Sequence, residues 1–353
     1  MQTTALSLTG RDALILVGQM ANDYADGDIF NDFNARKADN TLRAYRADLG
    51  SFAAFLSEAS KGAVAVTGAA LQTTPGAWTG VTWGLVQAFV QWLLKNGASV
   101  ATVNRKLAAV KVYAALAAEA GAIDGQDAAR IGKRVHGFTG KAARNVDRER
   151  SASGTPTRQS TKKAAHVSLT SDQVAALKTH PDTPQGRRDA LLMCLLLDHG
   201  LRVGEVALLT VDAFERDEQT GCMMVRFFRP KVGKEQRHRL SDDTLRALTA
   251  YMLHDAPARG ALLFRQSSKS GQLMTGAGIS ERNLSERVRT LGKRIGIENL
   301  SAHDCRHSWA TRAVAGKTDA FSLRDAGGWA SLAMPSRYVE AAAIANERVN
   351  LAG

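Results

Sequence analysis

Arg202, Lys231, His303, Arg306, Trp329 and Tyr338 form a spaced set suited to handling phosphate. Arg202 sits in Gly200-Leu-Arg-Val-Gly-Glu, and Lys231 in a hairpin turn. His303 and Arg306 share His303-Asp-Cys-Arg-His-Ser-Trp-Ala-Thr. Trp329 follows a Gly-Gly pair, and Tyr338 comes nine residues later. Guanidinium is planar and grips phosphate oxygens two at a time, which an ammonium does not do. His303 and Arg306, three apart, lie on one face of a helix. Taken singly, each residue has a plainer role. An arginine after a helix end usually caps or pairs, a hairpin lysine is usually solvated, and a helical tyrosine usually packs half-buried. His-x-x-Arg also recurs by chance, so order and spacing together carry the weight. No GxxxxGK[ST] or HExxH motif occurs, and the spacing offers no metal-ligand cluster. Gly276-Ala-Gly reads as a turn.

These residues need elements to hold them. Leu169-Thr170-Ser171-Asp172 opens a helix, and Arg187 to His199 reads as a second, largely buried one because Leu191 to Leu197 is apolar nearly all round. Gly200 is placed to stop it. Cys222 to Phe228 reads as a strand, Pro230 to Lys234 as a turn, and Arg237 to Leu240 as the returning strand. Helical patterns then run to the end. Upstream, Asn40 or Thr41 caps a helix with Leu42, Tyr45, Leu49, Phe52 and Leu56 on one stripe. A further helix spans about Trp83 to Lys95 and stops at Asn96-Gly97. Another starts near Ser99, carries Val103, Leu107, Val110 and Leu116, and ends at Gly121. Its polar face offers Asn104, Arg105, Lys106 and Lys111. There is no internal repeat.

The 353 residues suit about two domains, and 44% hydrophobic content excludes wholesale disorder. The net charge of +12 points to an anionic partner. It is uneven: between Arg130 and His166, ten basic residues against Asp147 and Glu149 leave +8. Arg130, Lys133, Arg134, Lys141 and Arg144 belong to this stretch, which also holds Ser151-Ala-Ser-Gly-Thr-Pro-Thr. It reads as a basic interdomain linker able to track phosphates. Three cysteines make no disulfide framework, and neither Ala13–Val17 nor Ala190–Leu197 has the length of a signal core or a bilayer span. A reduced, soluble, cytoplasmic and nucleoid-associated protein is expected.

Together the boxes resemble the tyrosine recombinase (phage-integrase-type) family. Gly200-Leu-Arg-Val-Gly-Glu-Val is similar to its first arginine motif, and His303-Asp-Cys-Arg-His-Ser-Trp-Ala-Thr to its second box. The step from Trp329 to Tyr338 fits the third box, and Lys231 the hairpin lysine. The likeness covers roughly residues 168–349. It extends more loosely to Thr41–Leu56 and Ser99–Leu116, which resemble the core-binding domain. In the third box most members have His after Leu-Gly, whereas this chain has Gly-Gly-Trp329, making that position more steric than acid–base. Lys234, three residues beyond Lys231, is the alternative phosphate-reaching lysine.

The resemblance implies a mainly α protein of two domains: a helical core-binding domain and an α-rich catalytic domain with a small antiparallel β-sheet. The expected bounds are an N-terminal extension (1–38), the core-type domain (39–129), the linker (130–167) and the catalytic domain with its tail (168–353). It implies a site-specific recombinase that needs neither metal, cofactor nor ATP. Arg202 and Arg306 clamp the non-bridging oxygens where charge gathers. Tyr338 attacks, His303 accepts or donates a proton, and Lys231 protonates the departing 5′ oxygen. A covalent 3′-phosphotyrosyl intermediate conserves the bond energy, and exchange passes through a Holliday junction. Trp329 packs on Tyr338 or donates to the phosphate, Glu205 buttresses the site, and His307 packs or hydrogen-bonds. Both domains would clasp duplex DNA, read partly by the Asn104–Lys111 face. Homotetramer assembly, tail docking onto a neighbouring subunit and an accessory DNA-bending protein belong to the same implication. The alternatives are relaxation by a type IB topoisomerase and a catalytically silent DNA-binding protein.

Overall fold

The computed structural model describes residues 10–154, 166–230 and 232–342. The chain folds as two units, Met1–Lys162 and Lys163–Gly353.

The first unit is helical: α1 (Gly10–Ala35), α2 (Asp39–Ala59), α3 (Gly68–Thr73), α4 (Trp83–Lys95), α5 (Val100–Glu119), α6 (Gly125–Arg134) and α7 (Gly140–Ala152). The α2 stripe buries Leu49, Phe52 and Leu56 at i, i+3 and i+4 steps. Phe52 meets Phe89 edge-on at 5.1 Å and stacks on Trp78 at 5.8 Å. Such aromatic pairs add about 0.5–1.5 kcal/mol beyond area burial. Ser99 caps α5 by accepting from the Thr102 backbone N–H.

Three expectations are corrected here. The first helix does not wait until after residue 38: α1 lies within the N-terminal extension 1–38 and packs Ile29, Phe30 and Phe33 on the core. The α2 helix begins at Asp39 after Ala38, without a side-chain cap from Asn40 or Thr41. The stretch 130–167 is not wholly linker. Ile131 and Val135 are buried in the first unit's core. Arg150 donates to the carbonyls of Leu94 and Ala98, closing the end of α4. Charge count hid the apolar positions that dock these helices. Residues 155–165, with Arg158, Lys162 and Lys163, lie outside the described residues.

The second unit contains α8 (Ser171–Lys178), α9 (Pro184–Asp198), α10 (Val203–Ala207), β1 (Phe214–Arg216), β2 (Met223–Arg229), β3 (Lys234–Arg239), α11 (Asp242–Asp255), β4 (Arg265–Ser267), β5 (Leu273–Gly278), α12 (Glu281–Arg294), α13 (Ala302–Ala315), α14 (Ala320–Gly327) and α15 (Ala333–Ala342). Helix α9 is its centre. Leu191 to Leu197 are all buried because α8, α11 and α13 pack around it. Each fully buried leucine contributes about 1.5–3 kcal/mol. The strands form an antiparallel sheet in the order β1-β2-β3, pairing Phe214 with Val225 and Arg229 with Lys234. A β4–β5 hairpin stands separately. Gly276-Ala-Gly is therefore strand rather than turn, with Gly278 opposite Arg265. Among the described residues, no helix is long and apolar enough to cross a membrane.

Two imidazoles, buried His199 and half-buried His238, couple this unit to pH. Burial pushes His199 down to about 4 and His238 down to about 3, the latter also opposed by His199 and Arg229. An unfolded histidine titrates near 6.5. Between those values the unfolded chain binds more protons than the folded one. Stability is thus full above about pH 6.5 and is lost as pH falls through the folded values. The urea midpoint of the second unit is expected to drop between about pH 7 and about pH 4.5, and His238→Gln to flatten the drop. A midpoint unchanged over that window in wild type would refute this linkage.

Candidate active site

The site is assembled where two glycine turns meet α13. Gly200, in the left-handed region at φ 60°, ends α9. A Cβ there would lie 2.3 Å from the Trp309 ring, so close approach and backbone hand both demand glycine. Gly328, at φ 58°, ends α14, and its Cβ would lie 2.4 Å from Arg229 Cδ. These turns deliver Arg202 and Trp329. Arg306, 3% exposed, ties them together by donating to the Gly200 and Gly327 carbonyls. Its guanidinium lies 4.5 Å from the Trp329 ring centroid, in the cation–π range. Burial, then Arg202 and Arg229, push Arg306 down to about 9, so it is cationic at pH 7.

Arg202 stands just before α10. Its backbone N–H and its Nη1 each donate to Glu205 at 2.8 Å. Glu205, 3% exposed, also accepts from Arg229 Nη1 at 3.1 and 3.2 Å. Arg229 is fully buried and donates onward to Gln236 and, at 2.8 Å, to the Ala326 carbonyl. Burial lowers it to about 10. Glu205 therefore buttresses Arg202 directly and, through Arg229, reaches the turn that carries Trp329.

Tyr338, on α15, is 7% exposed and packs with Ala310 and Leu323. Its ring centroid is 5.9 Å from that of Trp329 and 5.0 Å from that of His307. Burial raises the phenol, and Arg306 draws it back down. His303 and His307 sit one turn apart on α13, with ring centroids 4.9 Å apart. Burial lowers both, His307 to about 4, with His166 the next contributor in each case. His166 stacks on His307 at 3.4 Å. Sequence spacing offered no metal-ligand cluster, yet the fold brings three imidazoles together across well over a hundred residues.

The structure thus gathers Arg202, His303, Arg306, Trp329, Tyr338 and Glu205 around one location. Lys231 lies outside the described residues. Lys234 is exposed at the start of β3, opposite Arg229. A cavity of about 1080 Å³ in this unit, lined by Phe214, Met223, Leu248 and Met252 among others, shares none of these residues.

The face expected to read DNA differs from its sequence reading. Asn104 donates to the Phe138 carbonyl and accepts from its N–H, at 2.7 and 2.8 Å. Arg105 pairs with buried Asp48, and Lys106 donates to Ser51 at 2.6 Å. Lys111 donates to the Gly132 and Val135 carbonyls at 2.9 and 2.7 Å. These groups are engaged within the unit. Arg130, Lys133, Arg134, Lys141 and Arg144 are exposed.

Two arginines, a histidine, a tryptophan and a buried tyrosine gathered in one α-rich unit suit phosphate chemistry. The phage integrase family model matches residues 168–344, and the N-terminal SAM-like domain of phage integrases matches residues 33–121. The chain belongs to the phage integrase family and is a tyrosine site-specific recombinase. It is 27% identical over 305 residues to tyrosine recombinase XerC of Mycobacterium tuberculosis, covering 86% of this chain and 88% of that one. It is 24% identical over 312 residues to XerC of Herpetosiphon aurantiacus, covering 88% and 86%. Among solved structures, XerH bound to a palindromic difH substrate superposes with TM-score 0.57 at 16% identity, over 84% of this chain and 75% of that one. A lambda integrase dimer bound to a core site gives 0.54 at 14%, over 92% and 80%. These last two likenesses concern the fold.

Proposed function

We propose that this recombinase cuts and rejoins duplex DNA at specific sites through a 3′-phosphotyrosyl intermediate on Tyr338, with exchange passing through a Holliday junction. The observation that supports it best is the Tyr338 phenol beside the Trp329 ring, under which the buried Arg306 guanidinium lies. Phosphate bound at Arg202 and Arg306 would face that phenol. The Tyr338 oxygen forms a bond to phosphorus as the bond to the 5′ oxygen breaks. His303 takes the phenolic proton, and Lys231, or Lys234 in its place, supplies the proton to the leaving oxygen. The two guanidiniums neutralise the charge gathered on the non-bridging oxygens, where each donor of this kind is worth about 10²–10³ in rate. No step consumes ATP, because the phosphotyrosine is as ready to be attacked as the original diester.

The relatives named XerC and the DNA-bound solved structures support duplex DNA as the partner. A homotetramer on DNA, docking of the tail after Tyr338 on a neighbouring subunit, an accessory DNA-bending protein and a place at the nucleoid complete the reading. Most of that tail, residues 343–353, lies outside the described residues. The test is a nicked suicide duplex carrying the site. Wild type should yield a denaturant-stable adduct whose DNA-bearing peptide, sequenced by mass spectrometry, contains Tyr338. An adduct on another residue, or none with a bound site, would overturn the reading. Relaxation of a plasmid without two-site exchange would move it to the topoisomerase class.

Non-specific DNA contact follows the exposed cations. Lys133→Ala is expected to reduce the slope of log affinity against log salt by about 1. Lys111→Met should leave that slope alone and cost stability instead, about 1–3 kcal/mol, by stripping the Gly132 and Val135 carbonyls of a donor. Salt-series fluorescence anisotropy and thermal melts separate the two outcomes. Equal slope changes for both variants would contradict the assignment.

A further inference from the structure

We propose that His166, His303 and His307 bind a borderline divalent transition-metal ion, Zn(II) being the reference case, and that an ion held there occupies His303 and blocks strand cleavage. Each ring offers a nitrogen, and these atoms all lie within 4.8 Å of one another. His303 and His307 are four residues apart on α13, the spacing at which two imidazoles on one helix face grip a single ion. His166 comes from the other end of the unit's sequence and closes the third side, its ring 5.3 Å from His303 and 3.4 Å from His307.

Its position is fixed by the start of α13. Asp304 caps that helix by accepting from Ser301 through one carboxylate oxygen. The other oxygen accepts from the Val167 N–H at 3.1 Å and lies 3.4 Å from His166 Nδ1. A carboxylate behind a ligating imidazole orients the ring and raises its basicity. A tetrahedral ion at about 2.0–2.1 Å from each nitrogen needs the nitrogens roughly 3.3 Å apart. Side-chain rotation supplies that approach, since both His166 and His303 are exposed. Three imidazoles with an open fourth position suit Zn(II), Cu(II) or Ni(II) and offer nothing to Mg(II), which demands oxygen ligands. Arg202 and Arg306 lie close enough to oppose added charge, with Asp304 the compensating anion. Ion and phosphate then compete for His303, so metal and DNA cleavage exclude one another. That second clause rests on the recombinase reading; the binding itself does not.

The test uses full-length, tag-free protein stripped of metal by chelator, titrated with Zn(II) alone in a calorimeter. One ion per chain is expected. His166→Gln and His307→Ala, each checked for folding by circular dichroism, should weaken binding at least about tenfold, the scale on which even outer-shell losses act. Mg(II) should give no heat of binding. Wild-type affinity matched by His166→Gln would overturn the site. On the suicide duplex, equimolar Zn(II) should suppress adduct formation and EDTA restore it. His166→Gln, scored against its own metal-free rate, should need at least about tenfold more Zn(II) for the same fractional suppression. Equal suppression of both proteins would overturn the shared-ligand claim. A wild type that forms no adduct without metal would instead count against the recombinase reading, with calorimetry still deciding the metal site.

Discussion

Tyr338→Phe should fold, bind DNA with unchanged affinity and form no covalent adduct, a loss of at least about a thousandfold in single-turnover cleavage. The ring is what the fold uses. It fills the space between Trp329 and His307 and packs with Ala310 and Leu323, and phenylalanine preserves all of this. The oxygen is what the chemistry uses. Burial raises the phenol above its ordinary value near 10, so at neutral pH it enters the reaction protonated. Its proton must leave as the bond to phosphorus forms. Arg306 acts in the favourable direction, drawing the phenol down, and bound phosphate would place the acceptor beside it. No second tyrosine is set to substitute in this unit. Tyr251 is fully buried and spends its hydroxyl on the Leu263 carbonyl. Denaturing gels of a suicide-duplex reaction, beside a melting curve and an anisotropy titration, make the comparison. Adduct persisting in the variant would remove Tyr338 from its role.

The spacing that betrayed the site was local: Gly200-Leu-Arg, His-x-x-Arg and Trp-x8-Tyr each survive as short segments, so a sequence displays them. The helices of the first unit were equally legible wherever an apolar stripe ran at helical period, as at Leu49, Phe52 and Leu56. What the sequence concealed was long-range. His166 joins His303 and His307 only because Asp304 anchors the segment at its start. Asn104 and Lys111 looked like a solvent face, yet their side chains reach backbone groups in and after α6 that are more than twenty residues away. Gly276-Ala-Gly read as a turn because glycine pairs usually punctuate, whereas here pairing with β4 keeps it extended. Arg229 was readable and was missed. Val225, Phe227 and Arg229 alternate along β2, which places the arginine on the buried face with them. A cation in phase with a core stripe signals a buried partner, and Glu205 is that partner.

That pair supports the other large expected effect. Glu205→Ala should cost about 3–5 kcal/mol, because it leaves a fully buried guanidinium without its counter-charge. For a unit of this size, that lowers the melting temperature by roughly 6–20 °C at about 2–4 °C per kcal/mol. Arg229 keeps Gln236 for Nε and the Ala326 carbonyl for Nη2, but Nη1 and the charge lose their partner. Arg202 loses both its side-chain partner and the acceptor for its backbone N–H, so adduct formation should fall along with stability. The double variant Glu205→Leu with Arg229→Met separates the two losses. Removing both charges together spares the unpaired ion, so most of the stability should return. Cleavage should not return, since nothing then holds Arg202 toward the phosphate. Chemical denaturation and suicide-duplex cleavage on wild type, the single variant and the double variant make the test. If the double variant regained activity in step with stability, Glu205 would be a packing element only, and Arg202 would need no buttress.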